Sequence, residues 1–175
     1  MNLGHHLRFL DRSLLELAEA FSDVAQAHHD EPDVRIECTK FAEQTARQRA
    51  TLVPFLGHYD VDDATRDVDQ RAHRLFQGTR DGPLGLIRDL HDLFLMTCEC
   101  EICWTLIQQA AQGARDADLT NVAQTCRRDT ELRLSWLRSR MKQGARCRRW
   151  SSPAELPDGL EPIPPQARAR GAPSG

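Results

Sequence analysis

Residues 4–33 read GHHLRFLDRSLLELAEAFSDVAQAHHDEPD, and this stretch decides the fold class. Leu7, Leu10, Leu14, Leu17, Phe21, Val24 and His28 recur at steps of three and four, while Arg8, Arg12, Glu16, Glu19 and Asp23 take the other side. Such spacing lines one face of a helix with apolar groups and predicts a long amphipathic helix over 4–29. Only His29–Glu31 separate it from Pro32, a residue suited to the first turn of a second helix. So short a break folds the second helix back along the first, giving a helical hairpin.

Working outward, the second helix runs to Leu56 with Val34, Cys38, Phe41, Ala42, Leu52 and Leu56 on one face, and Gly57 ends it. A third begins after Asp81-Gly82-Pro83 and continues to about Gln112, carrying Leu86, Leu90, Leu93, Phe94 and Trp104, with Gly113 closing it. A fourth spans 117–143, with Leu119, Val122, Ala123, Cys126, Leu134, Leu137 and Met141 inward and Gly144 just beyond. The short connection Gly113–Asp116 makes a second hairpin. Residues 57–83 form a long link with a short helix expected over 63–76, whose Val68, Ala72, Leu75 and Phe76 can pack on the bundle. The expectation is an all-α four-helix bundle over 1–143, two antiparallel hairpins joined by a long crossover. Residues 144–175 hold six of the nine prolines and read as a disordered or extended tail.

Composition agrees with a globular chain of 175 residues: 40% hydrophobic, 28% charged, formal charge -3. The charge is uneven, with residues 1–126 at -9 and residues 127–149 at +7. No apolar run approaches the roughly 20 residues of a membrane span and no signal-peptide core opens the chain, so a soluble cytoplasmic protein is expected. Its six cysteines, irregularly spaced and mostly within helical patterns, read as reduced thiols.

In helix length and connection pattern, residues 4–143 resemble the ferritin-like superfamily, especially its small bacterial stress-response members. That resemblance implies a dinuclear iron or manganese centre built from one Glu on each of two helices and a Glu-x-x-His pair on each of the others. This chain has no Glu-x-x-His. Projecting the helices puts Leu10, Leu14, Leu17 and Phe21 inward on the first, where a carboxylate would stand. The second presents Thr45 flanked by Gln48 and Arg49, the third Thr97 and Glu101, the fourth Thr130 and Arg133 with Asp129 at the edge. An arginine at this level opposes divalent cations, so the reading is a metal-free polar layer in which Glu101 is neutralised by Arg49 or Arg133. A degenerate metal site from Glu101, Asp129, His91, Cys100 and Cys103 is the alternative.

Of the thiols in Cys98-Glu99-Cys100-Glu101-Ile102-Cys103, Cys100 and Cys103 share one side of the helix and Cys98 points to the other, a pattern that suits core filler better than a ligand set. Leu93–Ile107 is apolar beyond one core face, which implies a second buried face and favours a homodimer built partly on this helix. Arg127, Arg128, Arg138 and Lys142 form a basic outer face on the fourth helix, fit for an acidic protein surface, with nucleic acid disfavoured by the chain's overall acidity. Proteins of the resembled superfamily include cargo of protein compartments, which makes Leu156–Ile163 a candidate docking segment. No catalytic signature and no cofactor motif is present. The reading is a non-catalytic structural or protein-interaction bundle, with a metal-binding or oxidase-type protein and a small-molecule-binding bundle as alternatives.

Overall fold

The structure is a computed structural model that describes residues 3–59 and 76–147, Pro83 and the last three by backbone only. The short helix expected over 63–76, apart from Phe76, and the tail expected over 144–175, apart from 144–147, which continue the fourth helix, lie outside the described residues. The described residues form four α-helices and no strand: α1 (Leu3–Ala27), α2 (Pro32–His58), α3 (Gly82–Ala114) and α4 (Ala117–Cys147). None is long and apolar enough to cross a membrane.

The amphipathic stripe of α1 is buried as its spacing requires. Leu7, Leu10, Leu14, Leu17, Phe21 and Val24 are all fully covered, each contributing about 1.5–3 kcal/mol of transfer free energy. Phe21 meets Phe41 of α2, and Phe41 meets Trp136 of α4, each pair at 5.5 Å between ring centroids. Cross-helix contacts set the directions. Asp11 pairs with Arg49 and Phe21 with Phe41, so α1 and α2 are antiparallel. Thr45 pairs with Arg133 and Asp33 with Arg140, which makes α2 and α4 antiparallel. His28 bonds Asp89 and Ser13 bonds Glu99, which does the same for α1 and α3. Phe94 lies under Arg138 and Ile87 against Gly144, completing the antiparallel α3 and α4 pair. It follows that α2 and α3 point the same way.

Three glycines do not stop the helices where the sequence places the ends, and the first of them, Gly57, lies inside α2. Gly113 lies inside α3, and the left-handed residue that closes the helix is Arg115, at φ 58°. There the Asp116 N–H returns to the Ala111 carbonyl at 3.0 Å, a Schellman closure. Gly144 lies inside α4 facing Ile87, with space for a Cβ only 3.4 Å from the Ile87 Cγ1; it permits close approach of α3 and α4. Since a non-glycine residue in the left-handed region costs about 1–2 kcal/mol and glycine loses part of that in unfolded-state entropy, Arg115→Gly is expected to raise stability by about 0.5–1 kcal/mol, read from urea denaturation.

Asp116 then caps α4, accepting the Leu119 N–H at 2.9 Å, and also takes the Tyr59 hydroxyl at 2.8 Å. These bonds hold its carboxyl below the ordinary range, the Leu119 N–H foremost. One residue thus joins the end of α2 to the start of α4.

Candidate functional site

The middle of the bundle is polar. Thr45, Gln48, Thr97, Thr130 and Arg133 are buried there, with Arg133 only 1% exposed. The three threonines each donate to the carbonyl one turn back, of Phe41, Leu93 and Cys126. Since each hydroxyl proton is spent on its own helix, the oxygen lone pairs of Thr45 and Thr130 are free to accept from Arg133. Its Nη1 donates to Thr45 Oγ1, and its Nη2 to Gln48 Oε1 and, at 3.1 Å, to Thr130 Oγ1. Gln48 is fixed in turn by donating from Nε2 to the Cys126 carbonyl at 3.0 Å. Every one of these acceptors is a neutral oxygen. Burial pulls the guanidinium pKa down, offset in part by Cys100, Asp129 and Cys126.

The structure therefore brings together four of the residues singled out from sequence, Thr45, Gln48, Thr130 and Arg133, with Thr97 buried on the third helix. It departs from the expected layer in its ion pair. Arg49 leaves the core and holds Asp11 of α1, Nε to Oδ1 at 2.8 Å and Nη2 to Oδ2 at 3.2 Å, on the partly exposed α1/α2 face. Glu101 is half-buried and accepts from Thr105 at 3.0 Å. The reason lies in a choice between two stripes on α3 that share Leu90, Thr97 and Trp104. One adds Phe94, Glu101 and Gln108; the other adds Leu93, Cys100 and Ile107. The second is buried, because it carries no charge into the core.

The metal-ligand candidates do not converge. Asp129 and His91 are exposed, Glu101 is half-buried, and Cys100 and Cys103 are in the core. Among the described residues no group of three or more His, Cys, Asp or Glu is placed to hold a metal ion. Cys38, Cys100, Cys103 and Cys126 are free and buried. Burial raises all four thiols, Cys38 and Cys103 to about 12 and Cys126 to about 11. Because the thiolate is the reactive form, a Cys147→Ser protein at pH 8 is expected to alkylate at half-buried Cys98 first. The four core thiols are expected to react only on unfolding. A core thiol reacting as fast as Cys98 would contradict this placement.

On the basic face, Arg128, Arg138 and Lys142 are exposed, and Arg138 lies 5.5 Å from the centroid of Phe94. Arg127 is partly covered and approaches Glu131 at 3.6 Å.

A second polar cluster was not legible as such. Asp89 is fully buried and accepts from His28 Nε2 at 2.8 Å, from the Arg80 N–H at 3.0 Å and from Arg80 Nη1 at 2.8 Å. Arg80 Nη1 also reaches Asp92 at 2.8 Å. The signal was His28 continuing the apolar stripe of α1: a buried imidazole requires a partner. This cluster fastens the chain entering α3 to the end of α1, remote from Arg133. No family model, curated protein or solved structure matches the chain.

Proposed function

We propose that the chain is a ferritin-like bundle that works without a dinuclear metal centre, as a structural or protein-interaction module. The observation that carries this is the Arg133 guanidinium, a cation tethered to α4 and held at mid-bundle depth by Thr45, Gln48 and Thr130. A metal pair at that level needs anionic oxygens. Here the oxygens are neutral and the position is taken by the protein's own positive charge, which repels a divalent ion. The parallel course of α2 and α3 supports the ferritin-like crossover, because a chain leaving α2 has to return to the opposite end of the bundle to enter α3.

Elemental analysis of tag-free protein purified without chelator tests the reading. The expected result is no metal at stoichiometric level. Iron, manganese, copper or zinc at near-integer stoichiometry would overturn it and return the chain to the metal-binding or oxidase-type class.

A further inference from the structure

The outer groove between α1 and α3 carries apolar groups that the described residues of one chain leave exposed. It has a volume of about 550 Å³ and is lined by Phe9, Leu95, Ile102 and Leu106, with His6 and Glu99 among them. Ile102 is 56% exposed, Leu95 39% and Leu106 38%. These side chains follow a seam of their own. Leu95, Glu99, Ile102 and Leu106 are spaced four, three and four apart, the repeat with which one helix packs along another.

Glu99 is the telling residue. It stands half-buried on this seam, with a hydroxyl bond to Ser13 as its relief and Glu16 as a like-charged neighbour. Burial first, then Glu16, raises its carboxyl pKa. A carboxylate in that setting gains from a donor brought to it from outside.

We infer that this groove is a two-fold interface between copies of the chain, in which α1 and α3 of one copy lie antiparallel on α1 and α3 of the other. The register follows from contacts within one chain. Ser13 lies beside Glu99, so the antiparallel course of α1 sets Phe9 near the level of Cys103 and His6 near that of Leu106. A two-fold axis crossing α3 between Ile102 and Cys103 then brings the two copies of Ile102 together and sets Phe9 against Ile102 of the second copy. The same axis sets His6 against Glu99, twice by symmetry. An isologous interface requires just this reciprocity. The charge pattern selects a second copy, because the groove supplies both the carboxylate and the imidazole donor that answers it. From Leu95 to Leu106 the seam is roughly 17 Å long, and it is two helices, about 20 Å, wide, so roughly 700 Å² is buried in total, the size of a weak, reversible interface. Association in the micromolar range is the expectation.

The inference names a partner for the interaction module proposed above. Its test reads oligomeric state and not metal content, so either can fail alone. The full chain is followed by sedimentation velocity over a micromolar concentration series, with helical content and melting temperature recorded for each variant. Expected are a reversible dimer for the wild type and a monomer of unchanged helicity for Ile102→Glu, since Ile102 is exposed in the monomer. His6→Glu, which sets like charges against each other, is expected to weaken the dimer about tenfold or more. His6→Glu with Glu99→Lys is expected to return it to within about threefold of wild type. A wild type that stays monomeric throughout, as it would if residues 60–75 of its own chain covered the groove, overturns the inference. So does a dimer that survives Ile102→Glu, or a double variant no tighter than His6→Glu alone.

Discussion

Arg133→Ala is expected to destabilise the bundle by about 3–5 kcal/mol, the range found when a large buried side chain is truncated and the core cannot close over the space. Arg133→Met is expected to change stability by no more than about 1 kcal/mol. The contrast separates two contributions. Truncation removes both the volume and the charge, whereas methionine keeps most of the volume and removes only the charge. In the native bundle that charge is desolvated with only neutral oxygens around it, an arrangement in which an apolar replacement is often neutral or stabilising. Thr45 and Thr130 keep their bonds to Phe41 and Cys126, whereas Gln48 keeps only the bond its Nε2 donates to Cys126 and its Oε1 loses its donor, a cost that relief of the buried charge offsets. Urea denaturation of the three proteins decides it. A methionine variant as weakened as the alanine variant would mean that the hydrogen bonds of the guanidinium, and not its bulk, hold the centre together.

The second large effect belongs to Asp89. Asp89→Ala is expected to cost about 3–5 kcal/mol, because it leaves the buried His28 ring and the Arg80 N–H without their acceptor beside a void, with Asp92 alone remaining for the Arg80 guanidinium. Asp89→Asn, which retains an acceptor for one of the three donors, is expected to cost less. The coupling between Asp89 and His28 can be isolated by a double-mutant cycle with His28→Ala. A loss below about 1 kcal/mol on Asp89→Ala would mean that water relieves the site and that the cluster does not fasten α3 to α1.

Much of this architecture was legible in the apolar spacing. The α1 stripe from Leu7 to His28 is buried residue for residue, and the Thr-x-x-Gln and Thr-x-x-Arg patterns on α2 and α4 do meet at one level. What was not legible turned on rotations of about one residue. Glu101 and Cys100 are adjacent, and both belong to stripes that include Thr97 and Trp104; their difference in desolvation settles which enters the core. Arg49 and Gln48 likewise differ by one position on α2, and Asp11 draws Arg49 outward, a partner visible only once α1 and α2 are paired in register. The helix ends failed for another reason. Gly113 and Gly144 look like stops, yet the first is ordinary helix and the second makes room for Ile87. Asp89 went unnoticed because one acidic residue beside Leu90 resembles any solvent-facing charge until His28 and Arg80 close on it.

The central claim, that a tethered guanidinium fills the cation position of this bundle, is most directly tested by chemical rescue. The melting temperature of Arg133→Ala is measured against increasing guanidinium at concentrations far below those that denature proteins, with urea and a divalent metal salt as parallel titrations and the wild type as control. The account predicts a saturable rise of at least about 3 °C in the variant with guanidinium alone, and none in the wild type, because only the variant has the position free for a ligand that binds the native state. No rise with guanidinium, or an equal rise with the divalent metal, would contradict it.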